Sequence, residues 1–347
     1  MDKKSDSDSV PPTKKPKTGR FKDTAGRLRQ GKENHLSHRA SLDWRLDRDR
    51  VCNRAAPVGD GSGSDDRIAL EEIGALMLKS RTGEMLLRDA SERGLKIFFD
   101  PQTPQSQFYP RGESCVIVLN PERPRGDLIG TLGRELRRAW QYYRGALTNP
   151  MSFEPDEAVL VNRAQQADAF MMSVRIAWEL KLVSEMEAWN FMAGSPMGGV
   201  TRAFEICAQE DFRSLNNGEA PRAAYDKFFE GSCTKAHDKR IIHQMLLDDA
   251  GYMKVAHKGS RADMDLFRKL GELPQGANYL SIRSKRAPTD MCYSTVEDRS
   301  NANFLWFIKF ERSFQEKELQ MLQASVKTSA QIIDLASWSH SSGHART

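Results

Sequence analysis

Two strand-length runs, Leu95-Lys96-Ile97-Phe98-Phe99 and Cys115-Val116-Ile117-Val118-Leu119, stand immediately before a long tract whose apolar residues recur at helical spacing. This order limits the chain more than any other feature. Two short strands cannot close a barrel or build a sandwich, so helices must cover them, and the helical tracts far outnumber the strands. The expectation is an α+β fold, mostly helical: a small sheet followed by a helical bundle.

Within that frame the spacing predicts a helix over 66–93. Ile68, Ile73, Leu76, Met77, Leu86 and Leu87 mark its apolar face, Asp65 or Asp66 is its cap, and Gly83 is a candidate interruption. The stretch from Asp100 to Glu113, rich in Pro, Gln and Gly, reads as a connection. Asp127 is the expected cap of a helix running through Leu128, Ile129, Leu132, Leu136, Ala139 and Trp140 to about Tyr143, and Gly145 ends it. Residues 155–192 read as one long helix, broken after it by Gly194-Ser195-Pro196-Met197-Gly198-Gly199. Helices follow over 200–213, 220–231 and 234–256, then an irregular basic segment over 257–295. A final helix over about 296–335 carries Phe304, Leu305, Phe307, Ile308, Phe314, Leu319, Leu322, Val326 and Ile332. It packs on the body or pairs with a partner helix, and its heptad regularity is poor.

Charge separates a tail from this body. The chain has 347 residues and a net charge of +5, and its first 60 residues hold 15 Lys/Arg against 9 Asp/Glu. The remainder is therefore close to neutral. The tail is rich in Ser, Pro, Gly and Lys and poor in apolar residues, so ordering it would cost more entropy than burial returns. Residues 1–65 are expected to be a disordered basic tail. Lys14-Lys15-Pro16-Lys17 is its address-like cluster, and a weak polyanion contact through 14–29 is the partner it suggests. Residues 66–255 form the main domain and 256–347 an irregular segment with a helical extension. No run approaches the ~18–20 apolar residues of a membrane span, and no apolar signal segment opens the chain. Five cysteines without close pairing suggest a reducing, cytoplasmic location. Delivery as a secreted effector is equally compatible with these features.

Histidine decides the chemistry. None falls between residues 39 and 236. The helix over 127–143 nevertheless carries Gly133-Arg134-Glu135-Leu136-Arg137-Arg138-Ala139-Trp140-Gln141. In HExxH zinc peptidases two histidines at i and i+4 share a helix face, and the Glu after the first activates a zinc-bound water. Here Arg134 and Arg138 hold the two histidine positions and Glu135 the base position. By themselves, three Arg within five positions read as a solvated face.

The stretch over roughly 66–255 resembles the bacterial DUF6782 type of metallopeptidase-like family. Its active helix reads approximately H-E-L-R-H-A-W-Q, and its next helix has an acidic ligand in an E-A-D-A context. This chain has R-E-L-R-R-A-W-Q at 134–141 and Gln166-Ala167-Asp168-Ala169. The resemblance implies a zincin-like fold, zinc as the family's cofactor, and Arg134, Arg138 and Gln166 at its ligand positions. Arginine stays protonated and offers no lone pair to a metal, so zinc is not expected here, and Glu135 is a vestigial general base. The resulting expectation is a non-catalytic pseudoenzyme that binds a peptide, an anion or a protein partner. Arg134, Arg138, Gln166 and Asp168 would line its cleft, and both arginines would pair with Glu135, Asp168 or Glu157. Two other readings stand beside it. One is an active hydrolase with a relocated metal, for which His237 with Asp238, or Cys233 with His237 at i and i+4, is the best surviving pair. The other is an accessory protein that binds polyanions through its tail.

Other features have structural readings. Trp178 and Trp189, with Met171, Met172 and Met186, are expected to pack the long helix, and Cys115 to be a small core residue. Arg283-Ser284-Lys285-Arg286, beside Tyr279 and Tyr293, reads as a solvated loop more readily than as a nucleic-acid contact.

Overall fold

The computed structural model describes residues 63–110, 115–247, 262–274, 277–281 and 291–329. Residues 1–62 of the basic tail, with its 14–29 segment, and the 283–286 cluster lie outside the described residues, while 63–65, expected to be disordered, form the first turn of a helix.

The chain opens with α1 (Gly63–Met77) and α2 (Arg81–Glu92), continues through β1 (Lys96–Phe99), β2 (Gln107–Tyr109) and β3 (Val116–Leu119), and then becomes helical. The helices are α3 (Arg125–Tyr143), α4 (Pro155–Leu182), α5 (Glu187–Ala193), α6 (Gly198–Glu210), α7 (Ser214–Asn217), α8 (Glu219–Phe229), α9 (Ser232–Leu247), α10 (Met264–Leu270), α11 (Met291–Ser294) and α12 (Arg299–Ser329). The fold is α+β and mostly helical, with one small sheet. None of the described helices is long and apolar enough to cross a membrane.

The 66–93 tract is two helices. Ser80 caps the second by accepting from the Gly83 N–H at 2.9 Å, while its own hydroxyl donates to Glu179 at 2.7 Å. The break thus falls before Ser80, and Gly83 lies inside α2. A Cβ at Gly83 would sit 2.5 Å from the Met77 carbonyl oxygen, so this glycine allows the tight turn between the two helices. The expected caps also move. Asp65 and Asp66 lie within α1, and Asp127 sits in the first turn of α3 behind Pro124, where it pairs with Arg123 at 2.6 Å.

The sheet order is β1-β3-β2, with β3 parallel to β1 and antiparallel to β2. β3 is central and wholly buried, as its continuous Val-Ile-Val-Leu run requires. β2 lies in the stretch that reads as a connection. It is only three residues long, with Phe108 opposite Ile117.

α4 is the axis of the molecule. Its apolar residues point in every direction because neighbours surround it, so it is buried all round rather than amphipathic. Polar side chains spaced along it clamp distant segments. Arg163 holds Asp238 of α9 and the carbonyls of Tyr293 and Thr295. Arg175 donates to Leu215 O, and Glu179 accepts from Ser80 and Thr82. The long helix ends at Leu182, not near 192, because Ser184 turns left-handed (φ 67°) before α5. Trp178 and Trp189 pack edge to face at 5.2 Å with Met171 and Met172 buried near them, whereas Met186 is exposed.

Within the stretch read as irregular over 257–295, the described residues include two short helices, α10 and α11. Tyr279 is fully buried and Tyr293 nearly so, which removes both from any nucleic-acid surface. Tyr279 packs on Gly218, whose φ is +91°; a Cβ there would lie 2.9 Å from the Tyr279 Cβ. Gly218→Ala combines left-handed strain with overpacking and is expected to cost about 2–4 kcal/mol. Chemical denaturation would register it as a lower midpoint at unchanged slope.

Candidate functional site

The 3.6-residue period places Arg134 and Arg138 on one face of α3, with Glu135 turned towards the sheet. Glu135 is nearly buried (side chain 4% exposed), beneath Arg134 (34%) and Arg138 (20%). One carboxylate oxygen accepts from Arg134 Nε at 2.9 Å. The other accepts the Phe108 backbone N–H at 3.0 Å and lies 3.5 Å from Arg138 Nε. The edge strand β2 therefore anchors Glu135. The contact at Arg138 is an ion pair without hydrogen-bond alignment, and Arg138 Nε is buried without a hydrogen-bond partner. Burial pulls the Arg138 guanidinium below the ordinary arginine range; Glu135 opposes this, and Arg134 and Arg240 add to it.

A histidine joins this cluster from about a hundred residues away. His237 of α9 packs against Phe228 at 5.9 Å between ring centres. Burial lowers its pKa to about 4, reinforced by the charges of Arg240, Arg134 and Arg138. It is thus a neutral imidazole near neutral pH, within electrostatic reach of three guanidiniums. Of the two pairings the sequence offers His237 for a relocated metal, Asp238 is held by Arg163, and the Cys233 side chain lies outside the described residues. Nothing local in the sequence marks its approach to α3. Gln166 lies on the α4 stripe Arg163-Gln166-Phe170. The flanking members of that stripe meet Asp238 and Phe228, and Gln166 itself is half-buried.

Asp168 lies elsewhere, facing Arg137 rather than Arg134 or Arg138. It accepts four hydrogen bonds: from Arg137 Nε at 2.7 Å and Nη2 at 2.9 Å, from Gln141 Nε2 at 2.6 Å and from the Tyr279 hydroxyl at 2.7 Å. Arg137 also donates to the carbonyls of Leu270 and Glu272 and stacks over Trp140 at 4.0 Å. Both partners of the pair are fully buried. Burial and the neighbouring Asp168 raise the Tyr279 hydroxyl pKa, so it remains a donor. The matching residues Arg137, Trp140, Gln141 and Asp168 therefore build one structural hub. Glu157, the other expected partner, accepts the Ala262 N–H at 2.8 Å.

The side chains of Arg134, Arg138 and Gln166, at the positions that the resemblance gives to zinc ligands, do not fit zinc. Two guanidiniums have no lone pair to give and would repel a dication, and a single neutral amide does not compensate. Among the described residues, no three His, Cys, Asp or Glu side chains are grouped to hold a metal ion.

No curated protein and no solved structure matches the chain. A family profile does match, over residues 47–281, which takes in α1 to α10, the Arg134–Arg138 face and the Asp168 hub. The chain belongs to the family described as "Putative metallopeptidase family (DUF6782)".

Proposed function

We propose that the chain is a non-catalytic member of its family that binds the carboxylate end of a peptide or protein partner at Arg134, Arg138, Arg240 and His237. One observation carries this reading: two guanidiniums, Arg134 and Arg138, share a single carboxylate, Glu135, with the charge of Arg240 acting on the same group, and the buried Arg138 Nε has no acceptor. A planar carboxylate offers the acceptors this cluster lacks, in the geometry guanidinium favours. Gln166 adds a side-chain amide on the neighbouring helix. Glu135 is ill placed as a water-activating base while its oxygens hold two arginines and a strand amide, and the guanidiniums beside it have no lone pair to offer a metal.

Calorimetric titration tests the proposal with a peptide carrying a free C-terminal carboxylate and with its C-terminally amidated counterpart. The free acid is expected to bind more tightly, with Arg138→Gln weakening it by about tenfold. Equal binding of the two peptides would refute the carboxylate assignment. Stoichiometric zinc in the purified protein, with peptidase activity abolished by Glu135→Gln, would refute the non-catalytic one.

A further inference from the structure

The last described helix, α12, has two apolar faces, and among the described residues only one meets the body. Asn301, Leu305, Ile308 and Arg312 are buried, with Leu305 and Ile308 packed among Val159, Ile241, Ile242 and Met245 of α4 and α9. Half a turn away, Phe307, Phe310, Phe314, Lys317 and Met321 follow one another at intervals of three and four residues. That alternation is the heptad seam of paired helices. Trp306 flanks the seam and stacks on Phe310 at 5.4 Å. These side chains are open to solvent: Trp306 is 64%, Phe314 60% and Met321 72% exposed. Residues 317–324 are exposed on every side of the helix, and an isolated helical segment of that length is marginal in water.

We infer that α12 is a dimerisation helix whose outward heptad seam pairs with the same seam of a second copy of this chain. The area supports this occupant. Four rings near half exposure present on the order of 400 Å². Met321 extends the apolar seam to roughly 500 Å², which at the ~60% apolar share of an interface corresponds to the ~800 Å² per partner of a standard one. Monomeric proteins seldom expose a contiguous apolar patch beyond a few hundred Å². The seam spacing also suits a partner helix with the same repeat, and the second copy provides one. Lys317, inside the seam, would reach Glu311 or Glu318 of the second copy, a polar pairing that sets register. Glu311 and Glu318 border the seam, which disfavours an anionic membrane surface, where helices carry a basic rim. The helix lies beyond the family match at residue 281, so the inference is independent of the carboxylate site.

Sedimentation velocity of the full chain over a range of concentrations provides the test. The wild type is expected to be a dimer, and Phe310→Glu with Phe314→Glu a monomer, its dissociation constant weakened by about 100-fold or more. Both residues are exposed, so circular dichroism should show the substituted monomer still folded. Phe310→Leu with Phe314→Leu keeps the seam apolar and should remain dimeric. The inference is overturned if the wild type stays monomeric, including a monomer that binds phosphatidylserine vesicles. A dimer formed only after truncation at Ser329 would equally overturn it, because residues 330–347 would then cover the seam. Persistence of the dimer in the double Glu variant would have the same consequence.

Discussion

Asp168→Asn is expected to lower the free energy of unfolding by about 3–5 kcal/mol, because it strands the wholly buried Arg137 charge. Asparagine fits the space but removes the counter-charge, and its NH2 group would face donors where an acceptor is needed. Arg137 Nε and Nη2, Gln141 Nε2 and the Tyr279 hydroxyl all point at this carboxylate. Loss of Tyr279's acceptor would also loosen the segment around Gly271, which is held to α3 through the Leu270 and Glu272 carbonyls. Thermal and denaturant unfolding would measure the cost. Arg137→Met with Asp168→Leu separates charge from packing. That pair removes both buried ions and should recover part of the loss. Recovery stays incomplete because Gln141, Tyr279 and two carbonyls lose their partners. A double variant as damaged as Asp168→Asn alone would show that the hydrogen-bond network, not the stranded charge, dominates.

Between pH 7 and pH 4, His237 is expected to withdraw about 3 kcal/mol of stability. Its pKa lies near 4 in the folded chain and near 6.5 when unfolded, so the unfolded state binds the extra proton first. Stability therefore rises with pH across this window: the contribution is complete above about 6.5 and is lost as pH falls towards 4. The cause is burial, reinforced by Arg240, Arg134 and Arg138, with Glu135 already engaged by the latter two. Carboxylates elsewhere also titrate as the solution is acidified, so the informative quantity is the difference from His237→Gln, which cannot take up the proton. The gap between wild type and variant should narrow or invert on acidification by about that amount. Parallel pH profiles would mean that the imidazole lies outside electrostatic reach of the three arginines.

These two residues show how unevenly the site was legible. The Arg134-Glu135-Leu136-Arg137-Arg138 pattern could be read directly, because i and i+4 positions share a helix face wherever the helix packs. The helix match also singled out Arg137, Trp140, Gln141 and Asp168, and all four converge on one buried hub. Their sequence spacing, however, does not distinguish this hub from the Arg134–Arg138 face. On α4, Gln166 and Asp168 are two positions and about 200° apart, so they face different neighbours. His237 was hidden more thoroughly. Its position beside α3 depends on how α9 docks on α4 through Arg163 and Asp238, a contact between residues 75 positions apart.

Local pattern determined the central strand, the helix over α3 and its stop at Gly145, the break at Gly194–Gly199 and the predominance of helix. Each arises from side-chain periodicity or from backbone preference within a few residues. The tertiary structure alone decided the rest. β2 is three residues long and acquires its identity by pairing with β3. α4 is apolar in every direction, so no moment could show which neighbour each face would meet. The two stripes of α12 lie on opposite sides and obscure one another in the sequence. Only the packing of one against α4 and α9 leaves the heptad seam exposed. Sequence specifies which faces are apolar or charged, and the competition among those faces for a finite buried volume decides which of them touch.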